Sequence, residues 1–250
     1  MVEGVDKLLD EARTTLRELE ELRLELRDYE RRRNEILRMY STGQVSRDVF
    51  DGLMSDLRQK ILPMVKKYFE LKSRLKELEN RLSLVTTKLS VEVKAASEPF
   101  RASFERDQRM RQLLNRVGGV LENVRSALKS ADAERELRLL DVLLDSLPRG
   151  EIESWKPSIS EVLEEWSKIR FSYASRIEEI ERRIEQLNDD LKLLEVRFLV
   201  GEFDRSEYEA RRAAIEREIG ELRSQLEALQ EKLEDLDLIA ARCRELIGAG

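Results

Sequence analysis

Histidine is absent from the chain. With it go the commonest general base, the commonest partner of a nucleophile and the commonest transition-metal ligand. The single cysteine, Cys243, has no second thiol with which to close an internal disulfide or build a thiolate metal cluster. Aromatic residues make up only 6% and proline occurs 4 times, a composition too poor in rings and turn formers for an ordinary globule. No stretch approaches ~20 consecutive apolar residues, so the sequence predicts no membrane span. The opening MVEGVDKLLDEARTTL lacks the basic start and apolar run of a secretory signal. The expected location is the cytoplasm.

What the chain has instead is charge. Charged residues reach 39% of the 250, yet the two signs nearly cancel at a net -6, which disfavours indiscriminate coating of nucleic acid. Such a mixture gives long helices when its apolar residues are periodic, and here they are. From Leu9 the seam positions run through Ala12, Leu16, Leu19, Leu22, Leu26, Tyr29, Arg33 and Ile36 to Tyr40, three or four residues apart and apolar at all but Arg33. They resume at Phe50 and continue through Leu57, Ile61, Tyr68, Leu71, Leu75, Leu78 and Leu82 to Leu89. Each run is one seam of a coiled-coil helix. Pro63 lies inside the second, where a local kink is expected.

The break between the seams has the chemistry of a tight turn. Gly43 suits the left-handed residue that ends a helix, Ser46 an N-cap, and Val45 and Phe50 a hydrophobic staple across it. If the second helix folds back about this turn, facing residues have numbers summing to ~90. Tyr40 with Phe50, Tyr29 with Ile61, Leu22 with Tyr68 and Ala12 with Leu78 obey the rule. An antiparallel hairpin follows.

The device recurs 158 residues later. Gly201 ends a helix whose seam runs from Tyr173 to Phe198, and Asp204 caps the next, with Glu207 completing a capping box and Phe203 and Tyr208 the staple. Facing residues now sum to ~406, as in Leu187 with Ile219, Trp166 with Ala240 and Leu163 with Cys243. A bulky Trp166 opposite a small Ala240 is the compensation a packed seam needs, and Cys243 reads as a buried small hydrophobe. The two turns and their seams align without a gap, as a duplicated hairpin would.

Residues 97–157 are less regular. Gly118-Gly119 interrupts a helical pattern, Ser130 suits a cap for a helix carrying Leu137, Leu140 and Leu144, and Pro148-Arg149-Gly150 stops that helix. Ser158 and Glu161 form a capping box for the next long helix. The sequence thus predicts an all-α chain of two long antiparallel coiled-coil helical hairpins. The first occupies 1–96 with its turn at 42–46, and the second 158–250 with its turn at 200–204. A helical connector or small bundle cap, 97–157, joins them and ends in a linker at 148–157.

No catalytic set emerges. Gly118-Gly119 lacks the Lys-Ser/Thr of a phosphate loop, and carboxylate runs such as Glu178, Glu179 and Glu181 alternate with arginines as solvated helix faces do. The reading is a protein that is not an enzyme and needs no cofactor or metal. Three features remain as contact candidates. Arg101, Arg106, Arg109, Arg111 and Arg116 form a basic patch, either an exposed face beside a core stripe or a dock for lipid headgroups or phosphates. Trp155, in the expected linker, suits an exposed partner contact. The paired hairpin turns are the third.

The repeated turn, Gly-[Gln/Glu]-[Val/Phe]-[Ser/Asp]-x-x-x-[Phe/Tyr] between long charged helices, resembles the coiled-coil region of the archaeal cell-division CdvA family. The likeness covers roughly 20–90 and 160–247, without that family's barrel domain. It implies a scaffold or cytoskeletal protein that self-associates, works with ESCRT-III-like polymers and touches the membrane peripherally at a division site. The residues also leave open a tethering or chromosome-associated coiled coil that uses the basic patch.

Overall fold

The computed structural model describes residues 2–96, 104–129, 132–144 and 152–248, with side chains from 4–95, 108–129, 132–144 and 152–248. Among them the secondary structure is six α-helices and no strand: α1 (Val2–Ser41), α2 (Arg47–Ala96), α3 (Phe104–Lys129), α4 (Ala133–Leu144), α5 (Ile152–Leu199) and α6 (Arg205–Gly248). The chain is all-α and falls into two compact units. One comprises 1–132 with 142–147, the other 133–141 with 148–250.

In the first unit α1 and α2 fold back on each other, and α3 packs chiefly on α2 and also on α1. The seam expected from the periodicity is the core: Leu9, Ala12, Leu19, Leu26, Ile61, Leu75, Leu78 and Leu82 are essentially inaccessible. Polar contacts fix the direction of α3. Arg116 pairs with Asp6 at 2.9 Å and Arg23 donates to the Ala127 carbonyl at 2.8 Å, so α3 runs parallel to α1. Arg125 reaches Glu79 at 3.0 Å and Ser83 at 3.3 Å on α2. The third helix explains why Leu8 and Thr15, off the two-helix seam, are buried as well.

In the second unit α5 and α6 form the other hairpin. Its base is the better-filled end, with Ile159, Trp166, Leu236, Ala240 and Cys243 fully buried. Trp166 does face this core, and its indole N–H donates to Asp237 at 3.1 Å while Arg170 holds the same carboxylate at 2.9 Å. The first residues of α4 join through charge: Arg138 pairs with Asp235 at 3.0 Å, Lys232 with Glu134 at 2.6 Å, and Arg242 with Asp141.

Four expectations are corrected. The connector 97–157 is not a third body, because α3 belongs to the first unit and the start of α4 to the second. Helix α3 runs straight through Gly118 and Gly119, whose neighbours in sequence, Val117, Val120 and Leu121, are buried tightly enough to hold the helix. The linker 148–157 is helical from Ile152 onward, so Pro157 sits inside α5 rather than before it. As the sixth residue of α5, Pro157 forgoes an N–H bond to the Glu153 carbonyl, and the helix continues through it between the buried Ile152, Ile159 and Val162. Ser158 and Glu161 therefore lie within α5 rather than at its start. Ser130 and the Pro148-Arg149-Gly150 stop signal lie outside the described residues. Pro63 lies inside α2, as the seam pattern places it.

Candidate functional site

The two turns are built alike, bond for bond along the backbone. Gly43 has φ 71° and Gly201 φ 80°, the only left-handed residues among those described. The Gly43 N–H reaches the Tyr40 carbonyl at 3.0 Å and the Gln44 N–H the Met39 carbonyl at 2.8 Å. Gly201 to Phe198 and Glu202 to Arg197, both 3.0 Å, repeat the pair. This is the Schellman ending that satisfies the last carbonyls of a helix. The next helix is capped in the same way, the Val49 N–H donating to Ser46 Oγ at 3.4 Å and the Glu207 N–H to Asp204 Oδ1 at 2.8 Å. Across each turn two rings stack: Tyr40 on Phe50 at 4.4 Å and Phe198 on Tyr208 at 4.3 Å. Those pairs sum to 90 and 406, the registers read from the sequence. Phe203 lies under the Arg211 guanidinium at 4.2 Å, and Val45 is half-buried.

The tips differ in what they show to solvent. On the second, Leu199 and Val200 are 76% and 74% exposed, and Val196 and Leu193 continue the patch up the outer face of α5. Leu193, Val196 and Val200 follow an i, i+3, i+7 spacing on the side away from the seam. At the equivalent places the first tip carries Glu35, Arg38 and Thr42. The stripe was visible in the sequence as apolar residues off the seam period, a signal that attention to the seam passes over.

A second difference lies beside the seams. A shallow groove of about 210 Å³ on the first hairpin carries Glu18, Glu21, Glu25 and Lys67 over Leu22 and Met64. A groove of about 340 Å³ on the second carries Arg176, Glu179, Arg182 and Arg183 over Ile180 and Leu222. The shift of 158 residues superimposes Glu18 on Arg176, Leu22 on Ile180, Glu25 on Arg183 and Met64 on Leu222. The same groove recurs with its charge inverted.

The other candidates are occupied in part. Arg116 of the basic patch is spent on Asp6, and Arg111 is engaged as well. Arg109 is exposed on α3, the side chain of Arg106 falls outside the description, and Arg101 lies outside the described residues. Trp155, on α5 and half-buried, already interacts with another group. Burial first, then the Asp141 carboxylate, pushes the Cys243 thiol up to about 11. A thiol so held is no nucleophile at neutral pH. Glu134 is raised by burial but held below the usual carboxylate value by Lys232 and the Tyr173 hydroxyl, which both hydrogen-bond to it. That triad ties α4, α5 and α6 together. Among the described residues no group of His, Cys, Asp and Glu is placed to hold a metal, and no helix is long and apolar enough to cross a membrane.

Comparison with family models, with curated proteins and with solved structures returns no match.

Proposed function

We propose that the chain is a non-enzymatic coiled-coil scaffold that self-associates and presents partners from its helical hairpins. The observation that carries this reading is the stripe of Leu193, Val196, Leu199 and Val200 on the outer face of the second tip. Scattered apolar side chains on a surface need no explanation, but a run of four within two helical turns marks a contact surface. A ~40-residue helix rises roughly 60 Å, a reach suited to spacing partners apart. The turn motif adds the CdvA-like setting: a cytoplasmic protein of archaeal cell division or membrane remodelling, peripheral at the division site, with ESCRT-III-like polymers as partners.

Val196→Asp with Val200→Asp tests the contact surface, since both residues face solvent and the helix tolerates the change. Sedimentation velocity should show association in the parent chain and a shift to smaller species in the variant. An unchanged profile in a fully helical variant removes the stripe from the reading. Affinity capture of the tagged chain from its source lysate then tests the setting: recovery of ESCRT-III-like proteins with the parent chain supports it, and recovery of chromosomal proteins alone replaces it with a tethering role.

A further inference from the structure

The two inverted grooves have a use if copies of the chain meet. Each hairpin has the same groove at the same place, so the sequences flanking it can be compared position by position. On the leading helices the sign changes at Glu18 and Arg176, Arg23 and Glu181, Glu25 and Arg183, Arg27 and Glu185, Arg31 and Asp189, and Arg32 and Asp190, while Glu20 and Glu178, and Glu21 and Glu179, keep theirs. Part of this inversion is internal compensation. Arg183 pairs across its own hairpin with Glu218 at 2.8 Å, and the equivalents Glu25 and Lys60 have both changed sign together.

The rest is compensated only in part. Lys67 pairs with Glu18 at 3.8 Å across the first hairpin, but the residue equivalent to Lys67 is Gln225, so Arg176 has no such partner on α6 and pairs instead with Glu179 one turn along its own helix, an exposed pair. Glu21 and Glu25 have no ion-pair partner among the described residues, and Arg182 makes only a 3.3 Å bond to a backbone carbonyl. By their own lining charges the first groove is acidic and the second basic.

We infer that the acidic groove of the first hairpin docks against the basic groove of the second hairpin in another copy of this chain. The proposal rests on the self-association proposed above and adds its direction. Two first hairpins would oppose Glu21 and Glu25 to the same residues, and two second hairpins would oppose Arg176 and Arg182 likewise. First against second brings carboxylates to guanidiniums over four apolar floor residues, Leu22 and Met64 with Ile180 and Leu222. Hairpins joined side by side in this way make a four-helix contact. Complementary charge of this kind selects partner and orientation more than it adds affinity.

Two variants test it: Glu21→Lys with Glu25→Lys, which leaves the chain two basic grooves, and Arg176→Glu with Arg182→Glu, which leaves it two acidic ones. Sedimentation equilibrium at low salt is the readout, with circular dichroism to verify that helicity is kept. Each variant alone should associate about tenfold more weakly than the parent, since two exposed pairs are lost and turned repulsive. An equimolar mixture of the two should recover the parent's association, and added salt should weaken both. If a variant loses helicity, Glu21→Gln with Glu25→Gln and Arg176→Gln with Arg182→Gln replace the reversals, with weakening expected of each alone and recovery on mixing, where the acidic groove kept by one variant meets the basic groove kept by the other. A parent that associates while the variants match it overturns this inference and leaves the scaffold reading in place. A parent that stays monomeric at low salt overturns both the inference and self-association. Variants that dissociate but do not recover on mixing overturn the complementarity.

Discussion

At equivalent positions of the two hairpins, Leu26 and Leu75 of the first are fully buried, while Ile184 and Leu233 of the second are half-exposed. The turns that close the same hairpins agree bond for bond. The difference lies in what surrounds the seam. A pair of helices shields only the residues that face each other, and the remaining flank of each seam position stays open to water. The first unit adds α3 along its base and buries off-seam residues such as Leu8, Val65 and Phe69. Along its arm the second unit buries only Ile180, Leu187, Leu194 and Ile219. Turn chemistry is local and survives duplication; depth of core depends on a neighbour that only one hairpin acquired.

The comparison is broken most directly at Trp166. The second unit is thin along its arm but has a true core at its base, and Trp166→Ala empties the largest fully buried side chain there. A loss of about 3–5 kcal/mol is expected, together with the indole's hydrogen bond to Asp237, whose carboxylate keeps Arg170. Denaturant unfolding measures it; a loss under ~1 kcal/mol would show that the base is no better filled than the arm.

Leu75→Ala against Leu233→Ala sharpens the same point at one aligned position. The first should cost about 2–5 kcal/mol, as a fully buried leucine does. The second should cost well under half of that, because part of the side chain is already in water. Equal losses by chemical denaturation would mean that exposure along the second arm is not reflected in its energetics.

Cys243 gives a pH test confined to the second unit. Its folded thiol titrates near 11 against an ordinary value of 9.0, so between those limits the unfolded chain loses its proton first. The unfolded state binds fewer protons there, and stability must fall as pH rises from about 9 to 11, by up to about 1.4 kcal/mol per pH unit. Cys243→Ala should flatten that part of the unfolding-versus-pH curve. Below pH 8 a disulfide probe should label the folded parent only as fast as the protein opens.

Most of the fold was legible because long seams repeat a strong signal many times. Tyr40 with Phe50 and Phe198 with Tyr208 were paired from their numbers alone and stack across their turns, and both turn glycines took the left-handed conformation expected of them. The misreadings lie where single residues were weighed against context. Gly118-Gly119 and Pro157 look like breaks, but helix continuity depends on packing of the flanking turns, which a local signal does not report. The site was less legible. Val196 and Val200 break the seam period instead of obeying it, and the inverted grooves emerge only when the two hairpins are aligned and the flanking charges compared. Trp155 seemed exposed only because its segment was read as a linker.

The identity of the turns is itself testable. Gly43→Ala and Gly201→Ala each force a Cβ into a left-handed residue at φ 71° and 80°, where neither meets a neighbouring atom. The cost is therefore conformational strain alone, about 1–2 kcal/mol. It should be the same in both hairpins to within ~0.5 kcal/mol, in contrast to the unequal leucines. Thermal unfolding of the two variants measures it, and a twofold disparity would show that the matching bonds conceal different strain.

The smallest effect separates the units once more, and its sign is reversed. Gly118 and Gly119 are helical residues with no left-handed φ, and a Cβ built on either meets nothing within 4 Å. Alanine there removes freedom from the unfolded chain without crowding the folded one, so each substitution should stabilise by roughly 0.5–1 kcal/mol. The gain belongs to α3 and hence to the first unit alone, whose better-covered core it should make more stable still. Hydrogen exchange resolves the units: protection should rise along α1, α2 and α3 in Gly118→Ala with Gly119→Ala and stay at the parent's level along α5 and α6. A loss of stability would mean that the backbone at 118 and 119 needs the latitude of glycine, and that the break read from the sequence marks a real weakness in α3.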